Sequence, residues 1–322
     1  MRSHELGTSG VQVTTLGLGT AQLGDLYDTM TQDRATAIVD AAWDAGIRYF
    51  DTAPHYGLGL AEKRLGHALR SRPRTQYVLG SKVGRLLRPG SDGEITRHWD
   101  FTETGIRRSI EESLERLGLD RLNIALLHDP QERLADALSS GLPALVRLRD
   151  EGVVDAIGVG TGDLGTLATF ARRSELDAIM IAGRYTLLEQ PALTEVIPAA
   201  REAGISVLNV GVFNSGMLAQ DHPNLDARYE YAAAPPELLA RARRLADLAT
   251  AAGTTLPRAA LAYAARDPLV ASVVVGADNP EQIRNNVRMA QDPRPLNALW
   301  DDLVAQGLIP PHPSAAPRKS EP

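Results

Sequence analysis

Four residues of this chain, Asp51, Tyr56, Lys82 and His128, combine a carboxylate, a phenol, an ammonium and an imidazole, each at or just past the end of a short apolar run. Ile47, Tyr49 and Phe50 read as a strand that delivers Asp51, and Pro54 and Gly57 mark the loop that carries Tyr56 above it. Val78-Leu79-Gly80-Ser81-Lys82 closes on the lysine, and Ile124-Ala125-Leu126-Leu127-His128-Asp129 closes on the histidine. A free phenol has a pKa of about 10, so proton exchange near neutrality needs a fall of roughly 3 units, about 4 kcal/mol. One ammonium at about 4 Å under an effective dielectric near 20 supplies about 4 kcal/mol. Lys82 is therefore expected to draw Tyr56 towards phenolate. Asp51 would keep the lysine charged and in place, and His128 would hydrogen-bond the oxygen of a carbonyl or alcohol substrate. Such a set moves a proton onto or off an oxygen while something else moves a hydride. No protein side chain donates hydride, so a nicotinamide cofactor is implied.

The four residues converge only if their strands are neighbours in a parallel sheet, and the rest of the chain predicts such a sheet. Leu6 to Leu18 reads as a hairpin about Ser9-Gly10 that leads into a first core strand, Thr15 to Gly19. Asp33 is expected to cap the next helix, whose face is Ala35, Ile38, Val39 and Ala42. A helix from Gly59 to Leu69 joins the strands that end at Asp51 and Lys82. From Thr102 onwards amphipathic helices alternate with short apolar strands at 122–127, 156–159, 178–181, 205–209 and 271–275. Eight strands apolar on both faces, separated by helices, predict an α/β fold, a single (β/α)8 TIM barrel with sites at the carboxyl ends of its strands. Residues 1–308 form the expected domain. Leu296 to Leu308 is expected to be an extra helix folded across the barrel mouth, and 309–322, rich in proline and charge, a disordered tail. The polar stretches Gly84 to Asp100, which carries Trp99, and Pro223 to Pro236 read as long functional loops.

Composition narrows the function. An apolar fraction of 43%, a charged fraction of 23% and a net charge of -6 describe a globular chain without an electrostatic footprint for nucleic acid or an anionic membrane. The absence of cysteine excludes disulfides, thiolate metal sites and cysteine nucleophiles. No run approaches the roughly 18 apolar residues of a membrane span. Met1 to Glu5 lacks the apolar run of a signal peptide, which gives a cytoplasmic expectation. No His, Asp and Glu grouping has metal-ligand spacing, so no metal is expected. Gly158-Val159-Gly160-Thr161-Gly162-Asp163 lacks the final glycine of a dinucleotide fingerprint and reads as a barrel loop.

Taken together, Asp51, Tyr56, Lys82 and His128, within Asp-Thr-Ala-Pro-His-Tyr-Gly, Ser-Lys-Val-Gly and Leu-Leu-His-Asp-Pro, resemble the catalytic tetrad of the aldo-keto reductases. These are (β/α)8-barrel oxidoreductases that use NAD or NADP, and the resemblance runs from Leu6 to Leu308. Ala182 to Leu188 and Phe213 to Leu218 are similar to the branch of aldose (L-fucose and D-threo-aldose) 1-dehydrogenases and pyridoxal 4-dehydrogenases. It implies hydride transfer with an aldose, pyridoxal, another small aldehyde or an alcohol, the aldose being favoured. A cofactor-binding regulatory subunit on the same barrel is the non-enzymatic alternative. The resemblance also places cofactor contacts. Gly19, Thr20 and Asp51 fall near the nicotinamide, with the family's carboxamide pair at Gly160-Thr161, its glutamine at Ala182 and its stacking aromatic at Val210. Thr161, Asp163 or Phe213 are the expected stand-ins, and Arg184 is a further expected cofactor contact. Gly211, Phe213 and Ser215 would follow the pyrophosphate, and Gly276, Ala277, Gln282, Asn285 and Asn286 the adenosine. A lysine and an arginine often stand at the positions of Gly276 and Gln282 in members that prefer NADP. Their absence implies NAD, with Arg284 the remaining arginine able to meet a 2′-phosphate. His55, Trp99 and His128 are the expected substrate contacts.

Overall fold

The computed structural model describes residues 1–26, 28–173, 175–230 and 232–311. Eight parallel strands close into a barrel in chain order: Leu16–Gly19, Tyr49–Asp51, Val78–Val83, Ile124–His128, Ala156–Thr161, Ala178–Ala182, Ser206–Val210 and Val270–Val275. The eighth returns to the first through Val273 to Val275 against Leu16 to Leu18. Because every strand is walled by helices outside and packed side chains inside, both of its faces are apolar. Register fixes the reactive edge: Gly19 lies opposite Asp51, Asp51 opposite Gly80, Lys82 opposite Leu126 and His128 opposite Gly160.

Two apolar layers hold this arrangement. One lies between strands and helices, and the second fills the barrel with Tyr49, Ile124, Leu126, Met180, Leu208 and Val274. Leu6, Val11 and Val13 of the amino-terminal hairpin, Ser3–Glu5 with Gln12–Thr14, belong to that inner layer. The hairpin is tied there by the Gly7 amide, which donates to Ser206 Oγ at 2.8 Å beside the start of the seventh strand. The barrel is thus plugged at its amino end and open to ligands only at the other.

Helix boundaries follow local chemistry. The helix Gln32–Asp44 is capped by Thr31, whose hydroxyl accepts from the Arg34 amide, while Asp33 lies inside the first turn and complements the helix dipole instead of capping it. The helical segment over 134–150 is divided, with Leu134–Asp136, a wide turn Ala137–Gly141 and then Leu142–Asp150. Pro143 has no amide to donate and crowds the preceding turn, which accounts for the widening.

Three expectations are corrected. Gly84 to Asp100 is a β-hairpin, Arg85–Pro89 against Ile95–Trp99, turned at Gly90 where its amide donates to Glu94 O at 2.7 Å. Pro223 to Pro236 likewise contains a small ladder, Arg228–Tyr229 with Ala232–Ala233. The extra helix, Asn297–Ala305, does not cross the mouth but packs on the outside, where Trp300 meets Tyr263 edge to face at 5.8 Å and Leu308 O accepts from Arg241. Ile309, placed in the tail from sequence, is buried at 3% exposure. The rest of that tail expectation, 312–322, lies outside the described residues.

Helix Leu60–Leu69 behind the reactive edge is positioned by one close approach. A Cβ on Gly66 would fall 1.9 Å from the carbonyl oxygen of Leu117, the last residue of helix Glu103–Leu117. Alanine normally stabilises a helix interior by about 1 kcal/mol over glycine. Here the clash wins, and Gly66→Ala is expected to destabilise the protein by about 1–3 kcal/mol in reversible urea unfolding; an unchanged midpoint would refute this contact as a constraint.

Candidate active site

Asp51 ends the second barrel strand, Lys82 is the penultimate residue of the third and His128 ends the fourth, so the barrel brings them together without any loop. Tyr56 alone depends on a loop. Its amide donates to Ala53 O at 3.1 Å, and its carbonyl accepts from the Ala61 amide at 3.2 Å in the following helix. From outside, the segment 21–25 presses on it. A Cβ on Gly24 would meet the Tyr56 carbonyl carbon at 2.5 Å, so only glycine admits this contact. The buried Arg64 guanidinium locks the segment by donating to Leu23 O at 2.5 Å, Asp25 Oδ1 at 2.7 Å and Met30 O.

Within the site Lys82 Nζ lies 2.6 Å from Asp51 Oδ2, donates to Thr52 O at 3.0 Å and sits 5.0 Å from the centroid of the Tyr56 ring. The Tyr56 and His128 rings meet edge to face at 6.1 Å. Burial disfavours the Lys82 ammonium, but the Asp51 carboxylate and the Tyr56 oxygen more than reverse this and hold its pKa above the ordinary lysine value. Lys82 is a fixed cation. His128, buried and facing Lys82 and Arg85, is pushed well below the ordinary histidine value and stays neutral. The expectation for Tyr56 is reversed in sign: burial raises its pKa above the free phenol's more than Lys82 lowers it, and Asp51 and Asp129 add to the rise. In the free protein Tyr56 is a neutral phenol, poised to give a proton.

A second set of charges surrounds the outer rim and was not apparent from sequence. Arg85, at the start of the 85–99 hairpin, lies 3.3 Å from Asp129 Oδ2 and 3.4 Å from His55 Nδ1, with its guanidinium 4.1 Å from the Trp99 ring centroid. Asp129 has φ 42° and ψ 57°, a left-handed backbone, and its Oδ2 lies 3.6 Å from His128 Nε2. The His55 ring meets that of His128 at 5.5 Å, and burial with the nearby Arg97 and Arg85 drives its pKa down to about 4.

All these groups except Arg85 and Trp99 face one cavity of about 1770 Å³. It runs from Asp51, His55, Tyr56, Lys82, Arg97, His128 and Asp129 past Gly19, Thr20, Thr161, Ala182, Arg184 and Val210. Its wall continues through Gly211, Phe213 and Ser215 to Gly276, Ala277, Gln282, Asn285 and Asn286. Two sequence candidates stand outside it. Trp99 stacks on Phe101 at 5.6 Å and underlies Arg85, so it supports the rim without lining it. Asp163 caps the helix Leu164–Ala171 by accepting from the Thr166 amide at 2.8 Å. Arg284, the proposed phosphate partner, also misses the wall and pairs with Glu281 at 3.3 Å. Sequence reasoning overlooked Arg97 and Asp129. The alternation of 95–99 opposite 85–89 was the signal for Arg97.

The aldo/keto reductase family model matches residues 15–296. The chain belongs to this family of oxidoreductases. Over 94% of its length it is 47% identical to D-threo-aldose 1-dehydrogenase of Pseudomonas sp, covering 96% of that protein. It is 35% identical to pyridoxal 4-dehydrogenase of Microbacterium luteolum, covering 94% of this chain and 97% of that protein. Among solved structures, a holo-form aldo-keto reductase from Bacillus halodurans superposes with a TM-score of 0.76 at 26% identity, 96% of both chains being covered. This aldo/keto reductase is therefore an oxidoreductase acting between C=O and CH-OH groups with a nicotinamide cofactor. Among the described residues no group of acids and histidines could hold a metal ion, and no helix is long and apolar enough to cross a membrane.

The site's electrostatics give a pH dependence with a definite sign. With Tyr56 as the expected proton-exchanging group, reduction would need the protonated phenol and oxidation its proton-accepting form, and burial holds the Tyr56 pKa above the free phenol's. Oxidation should therefore speed up as pH rises through the alkaline range, while reduction slows. Lys82→Met, by removing the nearby cation, should move both limbs further to the alkaline side and lower oxidation at pH 7 by at least 10²-fold. Rate profiles in both directions check this, and an unshifted profile in the variant would remove Lys82 from the electrostatic account.

Proposed function

We propose that this aldo/keto reductase is an aldose 1-dehydrogenase that oxidises a small hydroxylated sugar at its anomeric carbon to the lactone. The observation that carries this reading is 47% identity, over nearly the whole of both chains, to an enzyme named for that activity. The polar rim supports it. A cavity end bearing His55, Arg97 and Asp129 beside the phenol suits a ligand with several hydroxyls better than an alkyl aldehyde. Pyridoxal, which as its hemiacetal presents similar geometry, is the second reading, supported by the 35% relative. General aldehyde reduction ranks below both.

The continuous cavity has the length and the chemistry for a dinucleotide. Left-handed backbone at Gly211, Asn214, Ser215 and Gly216 makes a concave wall of the kind that receives phosphate oxygens. Asn214 is buried at the wall with its side-chain oxygen unpaired. Thr161 and Phe213 stand where the nicotinamide end is expected, beside Ala182 and Val210. A small ladder covers the middle, with Arg184 paired to Glu230 and bonded to the Tyr229 hydroxyl at 3.1 Å. When bound, the nicotinamide supplies the hydride acceptor. The chain's residues manage the proton: His128, neutral, orients the reacting oxygen, Tyr56 takes its proton, and Lys82, held by Asp51, stabilises the resulting phenolate.

NAD is the proposed cofactor. At the adenosine end Gly276 and Gln282 offer no cation, and Gln282 Oε1 is committed to the Asp278 amide at 2.7 Å. Asp278 itself lines the wall, where a carboxylate accepts ribose hydroxyls and repels a 2′-phosphate. Of the arginines there, Arg258 and Arg294 are both held by Asp292, and Arg288 donates to Asn285 Oδ1. Gly276→Lys combined with Gln282→Arg is expected to raise kcat/KM for NADP relative to NAD by roughly 10²-fold, two charge-assisted bonds to phosphate being added. The new lysine displaces only the mobile end of Gln22. If the wild type already prefers NADP, the assignment fails.

A panel of aldoses, pyridoxal and simple aldehydes, followed at the nicotinamide absorbance with both cofactors, tests the substrate reading. Aldoses should give the highest kcat/KM, and a clear advantage for pyridoxal would replace the first reading by the second. Tyr56→Phe should bind cofactor normally and lose turnover by at least 10³-fold, since the proton then has no acceptor.

A further inference from the structure

We infer that Asp129 is a specificity-determining residue, its carboxylate accepting a hydrogen bond from the hydroxyl on the carbon next to the reacting one, the 2-hydroxyl of an aldose. The inference rests on the aldose reading and adds to it the feature of the sugar that is read.

Asp129 immediately follows His128 yet does not continue the strand. Its left-handed backbone is uncommon for a residue other than glycine, and such conformations persist where surrounding contacts enforce them. Here they turn its carboxylate back to the cavity wall, leaving Oδ2 3.6 Å from His128 Nε2. That separation is too long for a hydrogen bond between the two, so the carboxylate does not serve to hold the imidazole. At that distance a substrate oxygen bonded to Nε2 would bring the hydroxyl on its neighbouring carbon within reach of the carboxylate. Arg85 anchors that same oxygen at 3.3 Å, and Arg85 is itself fixed by Trp99 and His55. Thr161 also hydrogen-bonds the acid. A carboxylate has about four lone-pair sites and donates nothing, so those left over at the cavity wall select a hydroxyl and reject a carbonyl, an ether or another anion.

Two variants test this with a sugar pair, an aldose that the wild type oxidises and its 2-deoxy counterpart. Asp129→Asn tolerates the left-handed backbone, and Asp129→Gly relaxes it. Both should lower kcat/KM for the 2-hydroxy sugar by roughly 10- to 100-fold, the range for a lost hydrogen bond to a charged group. Both should leave the 2-deoxy sugar within about 3-fold of wild type and NAD binding by fluorescence titration unchanged. Equal losses on the two sugars, with cofactor binding retained, would show a structural role through His128 and overturn the inference while leaving the aldose reading intact. A wild type that oxidises both sugars equally well would overturn it in the same way. Turnover of neither sugar by the wild type would reject the aldose reading and this inference together.

Discussion

The interaction on which the site depends is the buried ion pair between Lys82 and Asp51. Both side chains are almost wholly removed from solvent, at 3% and 4% exposure, and their charged atoms are 2.6 Å apart. Taking two such ions from water costs several kcal/mol each, so the pair persists only because each supplies the other's counter-charge and Thr52 O takes another ammonium proton. Such a pair adds little to stability over apolar residues of equal volume. Its value lies in placing a permanent positive charge beside a phenol, inside a barrel edge too rigid to let the charge swing out to water. The rigidity comes from the register of neighbouring strands, which allows neither residue an alternative level.

Burial acts on the other members of the site in ways that suit their chemistry. It keeps His128 neutral, so its ring can present a donor to a substrate oxygen without competing with Lys82 as a second cation. It also keeps Tyr56 protonated in the free protein, against the pull of the ammonium. The same low-dielectric surroundings that raise the phenol's pKa strengthen its attraction to Lys82 once a proton has left. An oxidised nicotinamide, held by the wall that includes Thr161 and Phe213, would supply a further positive charge, and the phenol would then meet a different field in each direction of the reaction.

The sequence showed the parts of this design that depend on continuous apolar runs. Asp51, Lys82 and His128 were legible because each terminates a strand buried on both faces, where a polar residue can only be an end or a site. Eight such runs made the barrel legible as well. The rim was harder to read. Arg85 to Pro89 and Ile95 to Trp99 alternate, but their charged residues and two glycines resemble a loop in composition, and their pairing is settled by tertiary contact with the barrel edge. Trp99 was assigned to substrate because it is large and aromatic on that segment; its ring instead spends its face on Arg85 and Phe101. Asp163 has the composition of a ligand residue and the position of a helix cap, and the local hydrogen bond to Thr166 decides for the cap. The outer placement of helix Asn297–Ala305 follows from Trp300, whose partner Tyr263 lies on the barrel helix Leu256–Ala264 and whose partner Arg266 lies just beyond its end.

This division between legible and hidden parts reflects a division of labour. On this reading the charged partners of proton transfer, Lys82 and Asp51, and the orienting His128 stand at strand ends, where a displacement of an ångström would require the barrel to change register, and only Tyr56 stands on a loop. Recognition is assigned to the hairpin 85–99 and the turn at Asp129, which pack against the barrel edge without contributing to its closure. Residues such as Arg97 and Asp129 can be exchanged without disturbing the Lys82 and Asp51 pair, because the chain of support for the rim passes through Arg85, Trp99 and His55, whereas that for the pair passes through the strands. Substrate preference can accordingly change between relatives while the tetrad stays the same, and a likeness in the tetrad alone says nothing of which alcohol is oxidised. On the reading proposed for this chain, it is the acid beside His128, more than His128 itself, that would separate a polyhydroxylated substrate from a simple aldehyde.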